Sequence, residues 1–296
     1  MHKRRISPAN KGYFFIAPYF VLFLVFCLYP ILYTLRMSFM SWDGLSDPVF
    51  VGLRNYQRLL GDHVFRIAIF NTVKISLVAI VFQMACGIGL AFLLNQPHIR
   101  LRGQLKAIYY FPNLVTAVSL GILFSLLFDW QGGSVNRLLM ALKLIGAPVN
   151  WKLNAGFMQN VISFILWLQY FGYYVIIFTA GIKGIENDVL EAAQIDGANR
   201  FQQLVRVVLP LLKPIVIYAS IVAIIGGMQI FDLNYAIGTA MGDPNYGTMS
   251  MVLYMYTTSF VNYNYGYGAA ISYGLFLLIV LFSVIYLRMT VKKEAR

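Results

Sequence analysis

Charged positions along the 296 residues leave long gaps, and those gaps organise the chain. Uncharged, mostly apolar runs extend from Tyr13 to Leu35, Ile75 to Leu94, Ala107 to Phe128, Leu153 to Ile182, Pro214 to Phe231 and Tyr265 to Leu287. Each meets or approaches the roughly 20 residues that a helix needs to cross a bilayer. None shows sustained two-residue alternation, so the runs suit helices and not barrel strands. The pattern predicts six spans, at about 13–35, 71–94, 107–128, 158–181, 211–235 and 265–287. Thr248 to Phe260 is too short and too rich in Tyr, Thr and Ser for a seventh. It reads as an external, interfacial or re-entrant helix. The expected fold is an all-α membrane protein, one transmembrane domain over residues 1–296.

Composition agrees. Hydrophobic residues make up 59% and charged residues 11%, against roughly a quarter charged in a soluble domain. Basic residues crowd the N-terminus (Lys3, Arg4, Arg5), the second connection (Arg100, Arg102, Lys106), the loop at Glu191 and the C-terminus (Lys292, Lys293, Arg296). By the positive-inside rule both termini and that loop face the cytoplasm. A net charge of +12 raises nucleic acid as a partner, but the basic residues flank spans and form no single stripe. Anionic lipid accounts for them better. The first apolar run exceeds a signal-peptide core and no small-x-small cleavage site follows, so it reads as a retained span. Cys27 and Cys86 fall mid-span as packing residues, and His2, His63 and His98 are too scattered for a metal site. Gly87, Gly89, Gly226, Gly227 and the Gly266–Ala270–Gly274 series fit close helix packing or simply the abundance of glycine in membrane helices.

The most specific segment is polar, EAAQIDGANRFQQLVRVVLPLLKP from Glu191 to Pro214. Asn187 or Asp188 can cap a short helix whose Ala192 and Ala193 present a bare face. Asp196-Gly197 supplies a turn. A second run places Phe201, Leu204, Val205 and Val208 opposite Gln202, Gln203 and Arg206, until Pro210 stops or kinks it. The residues describe either a rigid helix-turn-helix knob or an amphipathic connector lying on the membrane.

Glu191-Ala192-Ala193, Asp196-Gly197-Ala198 and then Leu209-Pro210 resemble the EAA loop of permease subunits in bacterial binding-protein-dependent ABC importers. Phe15 to Tyr19, Tyr29 to Tyr33, Asn55-Tyr56, Asn71-Thr72, Phe231-Asp232 and Tyr265 to Ser272 resemble the sugar-importing branch related to the larger maltose-transporter permease. Gly242-Asp243-Pro244 departs from that branch, where Gly-Gly-Pro is common. The resemblance implies a bacterial inner-membrane subunit whose loop at about 184–209 couples to a separate ATPase. It implies a second homologous permease, two cytoplasmic ATPase subunits and an extracytoplasmic solute-binding protein as partners. No G-x-x-x-x-G-K-[S/T] occurs in the chain, so it is expected to bind no cofactor and catalyse nothing, with ATP and Mg on the ATPase.

For the substrate, Trp167, Gln169, Tyr170, Gly172 and Tyr173 cluster on the fourth span, and Gln229, Phe231, Asp232 and Asn234 on the fifth. Aromatic faces with amides and a carboxylate suit a mono- or oligosaccharide, and an ionisable group at membrane depth is a functional candidate. Glycerol phosphate is an alternative solute. An ion-coupled secondary transporter is a different class, disfavoured because the spans carry no interior acid or histidine besides Asp232. A membrane enzyme would need paired carboxylates or a nucleophile–base pair, and none is evident in the sequence.

Overall fold

A computed structural model describes residues 8–96, 99–238 and 241–291. Among the described residues, four helices are long and apolar enough to cross a membrane: α1 (Tyr13–Ser38), α3 (His63–Leu94), α7 (Ala155–Lys183) and α13 (Tyr265–Thr290). Two bent pairs raise the number to six if each pair is one span. In one, α4 (Arg102–Leu114) and α5 (Ala117–Leu127) meet at 87°, and in the other α9 (Arg200–Leu211) and α10 (Lys213–Met228) meet at 75°. Shorter helices are α2 (Arg54–Gly61), α6 (Ser134–Ala141), α8 (Asn187–Ile195), α11 (Asp232–Ile237) and α12 (Met251–Val261). Met40–Ser41 and Val49–Phe50 pair as a small antiparallel ribbon.

Prolines explain much of the bending. Turns of π-helix, Leu24–Leu28 and Leu204–Val208, lie just before Pro30 and Pro210. A helical proline donates no hydrogen bond and its ring presses on the carbonyl four residues back. Widening the turn relieves that contact and lets the helix run on. The expectation that Pro210 stops or kinks the run is therefore corrected: the helix continues to Leu211 and bends at Leu212, before Pro214.

The third and fifth spans are not continuous. Pro112 weakens the end of α4, Val115 is extended, and Thr116 caps α5 by accepting from Ser119 N at 3.2 Å. After α10 the chain leaves helical geometry at Phe231 (φ −135°, ψ −58°), so no single helix covers 211–235. Two carbonyls near this break are satisfied by side chains: Ser76 Oγ donates to Gly227 O at 2.6 Å and Ser250 Oγ to Ile230 O at 2.7 Å. The break is built in.

Contacts divide the chain into two compact units, Met1–Asp62 with Thr258–Gly274, and His63–Thr257 with Leu275–Arg296. In the first, Asn55 Nδ2 donates to Ser38 O and Met40 O, tying α2 to the end of α1. The Arg58 guanidinium lies 4.0 Å over the Tyr267 ring, whose hydroxyl donates to Asp62. Gly266 meets the Met40 carbonyl so closely that a Cβ would fall 2.0 Å from its oxygen.

In the second unit α7 is the central helix. Gly87 of α3 packs on Tyr174 and Phe178 of α7. Gly172 lets α4 cross α7 backbone to backbone, because a Cβ there would lie 1.9 Å from Tyr109 O. A polar network ties the 242–251 loop to this core. Lys74 Nζ donates to Gln159 Oε1 at 2.6 Å, and Gln159 Nε2 donates to Asn71 Oδ1 and Gly247 O. Asn71 Nδ2 donates to Tyr246 O and Met249 O, and Thr72 Oγ1 accepts from Met251 N.

Candidate functional site

The segment at Glu191 folds as two short helices, and its turn can be derived atom by atom. Helix α8 starts before either expected cap: Glu186 is its cap, without a side-chain bond, and Asn187 and Asp188 lie inside the first turn. Its last carbonyls are closed by Gly197 N donating to Gln194 O and Ala198 N to Ala193 O, both at 3.0 Å. That double closure needs a left-handed residue after the cap, and Gly197 has φ +79°. Open space surrounds it, so backbone geometry alone demands the glycine. Asn199 then starts α9 with a capping box, its Oδ1 accepting from Gln202 N while Gln202 Oε1 accepts from Asn199 N, both at 2.9 Å.

The pair has an inner and an outer side. Val208 and Leu212 are buried against Phe178, Ile182 and Ala219, with Leu190 and Leu204 packed beside them. Glu191, Ala192, Asp196 and Gly197 are exposed, Ala193 and Ala198 half-buried, and Leu209 and Pro210 exposed. Ile195 and Phe201 are 86% and 73% exposed. The expected stripe on α9 is corrected on three points. Phe201 faces outward, Val205 is also exposed, and Gln203 is buried, with its Nε2 donating to Ala198 O at 2.9 Å.

Elsewhere in the same unit lies a cavity of about 450 Å³, walled by α3, α4, the start of α5, α7, α10 and the broken segment 229–233. Tyr170, Tyr173, Gln229, Phe231 and Asp232 line it. Gln169 is 5% exposed, donates through Nε2 to Val115 O at 3.1 Å, and holds an Oε1 with no hydrogen-bond partner. No group of three or more His, Cys, Asp or Glu among the described residues is arranged to hold a metal.

A family model described as binding-protein-dependent transport system inner membrane component matches residues 83–292. The chain belongs to that family. Among curated relatives it is 31% identical to the lactose transport system permease protein LacF of Rhizobium radiobacter, covering 92% of this chain and 91% of that one. It is 32% identical to the arabinooligosaccharides permease AraP of Bacillus subtilis (96% and 90% covered) and to the trehalose/maltose permease MalF of Thermococcus litoralis (97% and 95%). Its fold matches a bacterial ABC transporter involved in the import of the acidic polysaccharide alginate, with TM-score 0.83, 20% identity and 97% of each chain covered. A second structure of such a transporter, with an alginate pentasaccharide-bound periplasmic protein, matches at TM-score 0.81 and 20% identity, covering 96% of this chain and 95% of that one.

The permease is thus an inner-membrane transport subunit that catalyses no reaction itself, and its cavity gathers only part of the residues singled out from sequence. Gly172 lies elsewhere: two residues past Tyr170 is about 200° round a helix, which turns it toward α4. Trp167 stacks on Phe171 with centroids 5.2 Å apart, outside the lining, and its buried Nε1 has no acceptor. Asn234 is wholly buried and donates to Thr248 O at 2.6 Å, holding the 242–251 loop. The permease cavity also includes Gln83, Tyr110 and Asn113, which the sequence reading passed over. An amide at mid-span was the available signal for Gln83 and Asn113.

Proposed function

We propose that the permease forms half of the pathway for a carbohydrate, moved by alternating access and driven by a separate ATPase docked on α8 and α9. The observation that carries this is the two-sided helix pair. Its inner side is continuous with the core around Phe178 and Val208, so a push on it reaches α7 and α10 as rigid bodies. Its outer side offers Glu191, Ala192, Ile195 and Phe201 to a partner. The chain holds no phosphate-binding loop, so the work comes from another polypeptide that carries ATP and Mg.

On this proposal both termini and the helix pair face the cytoplasm, as the basic residues of the connections require. Two ATPase copies, a second homologous permease and an extracytoplasmic binding protein complete the assembly, as expected of the family and in keeping with the periplasmic protein in the neighbouring structure. The cavity falls in the usual size range of ligand pockets and sets tyrosines and Phe231 beside amides and a carboxylate, which suits sugar rings. The lactose, arabinooligosaccharide and trehalose/maltose relatives favour the same class.

Reconstitution tests it. The complex purified through a tag on this chain is placed in proteoliposomes with its binding protein and a panel of labelled neutral mono- and oligosaccharides. ATP-dependent accumulation of at least one of them is expected. Accumulation of none, with hydrolysis intact, would refute the carbohydrate assignment.

A further inference from the structure

The charge lining the cavity is one-sided. This chain carries 23 Lys and Arg against 11 Asp and Glu, yet among the described residues lining the cavity there is no Lys or Arg. The one charged side chain there is Asp232, at the start of α11 where the fifth span breaks. The other polar lining groups are neutral amides and phenols, among them Gln83, Asn113, Gln169 and Tyr170. Two of the amides are already held by their nitrogens: Gln83 Nε2 donates to Leu166 O at 2.9 Å and Gln169 Nε2 to Val115 O. Their fixed orientation leaves the Oε1 of Gln169 as a spare acceptor. Acceptors and a carboxylate call for hydroxyl donors.

We infer that the cavity is a charge filter, in which Asp232, unopposed by any cation in the lining, admits uncharged sugars and rejects uronates and phosphorylated solutes. This rests on the proposal that the cavity is the solute path, and it argues against glycerol phosphate. It also separates this permease from its structural neighbour, a transporter involved in the import of an acidic polysaccharide. A carboxylate or phosphate entering here would lose its water, meet no guanidinium or ammonium from this chain's described lining residues, and approach a like charge.

The filter is testable without knowing the sugar. Tyr170, which lines the cavity and is 38% exposed, is replaced by Cys in the assembled transporter, with Cys27 and Cys86 changed to Ser. Reaction rates are measured with a cationic and an anionic methanethiosulfonate of similar size, each normalised to a free thiol. At an effective dielectric of about 20, a unit charge within about 10 Å changes the local concentration of a singly charged reagent by roughly tenfold or more, raising that of a cation and lowering that of an anion. The cationic reagent is therefore expected to gain at least about tenfold over the anionic one. Adding Asp232→Asn should abolish that preference, and Asp232→Glu should keep it. A normalised ratio near one, or a ratio that Asp232→Asn leaves unchanged, overturns the filter. Uptake by the unmodified transporter gives a second readout: accumulation of trigalacturonate as fast as maltotriose also overturns it. If no sugar is accumulated while the reagent preference stands and depends on Asp232, the carbohydrate assignment fails and the filter survives for another uncharged solute.

Discussion

Replacing Ile195 and Phe201 together by Asp is expected to release the ATPase and lower uptake more than about 100-fold while the permease still inserts and folds. Both side chains project into solvent, so neither change opens a cavity or strands a buried charge within this chain. Burying a large apolar side chain at an interface contributes about 1.5–3 kcal/mol, and two removed together cost roughly 3–6 kcal/mol. At about 1.4 kcal/mol per factor of ten, that exceeds a hundredfold loss of affinity before the cost of burying two carboxylates is counted. Pull-down of the ATPase through a tag on this chain, with the melting profile of the isolated permease as control, reads the effect directly. Full retention of the ATPase by the double variant would remove α8–α9 as the docking surface.

Gly172→Val is expected to block folding of the membrane domain. The Tyr109 carbonyl occupies the place where a first side-chain carbon would go, and its neighbours are backbone atoms that no rotamer change can move. Separating α4 from α7 costs more than the 1–3 kcal/mol typical of overpacking, so about 3 kcal/mol or more is expected. The measurement is the yield of monodisperse complex, with Gly89→Ala as the control. Gly89 sits on α3 with nothing within 4 Å, and its replacement should leave yield unchanged. Normal yield from Gly172→Val would mean that the two helices do not cross at that point.

Hydropathy made the spans legible because a bilayer demands long uncharged runs and little else. It did not reveal the breaks at Val115–Thr116 and Gln229–Phe231, since a broken helix and a straight one have the same mean hydropathy. Pro112 and the Gly226-Gly227 pair were the local signals, each ambiguous without its partners: Ser76 and Ser250, whose hydroxyls donate to carbonyls near the second break, are remote in sequence. In the α8–α9 pair the glycine turn could be read from Asp196-Gly197, whereas the outward Phe201 could not. Which face of α9 meets the core is set by Phe178 and Ile182 of α7. Cavity residues divided in the same way. Tyr170 and Tyr173 share one face of α7, and composition alone could not show that Gly172 between them points to the opposite side.

The proposed docking of α8–α9 on a cytosolic ATPase makes one sharp demand on surface chemistry. Ala192→Cys, with Cys27 and Cys86 replaced by Ser, would be challenged with a membrane-impermeant maleimide in intact cells and in inverted membrane vesicles. The account predicts no labelling from outside, strong labelling in inverted vesicles stripped of the ATPase, and protection when the ATPase is restored. Labelling in intact cells, or equal labelling with and without the ATPase, would contradict it.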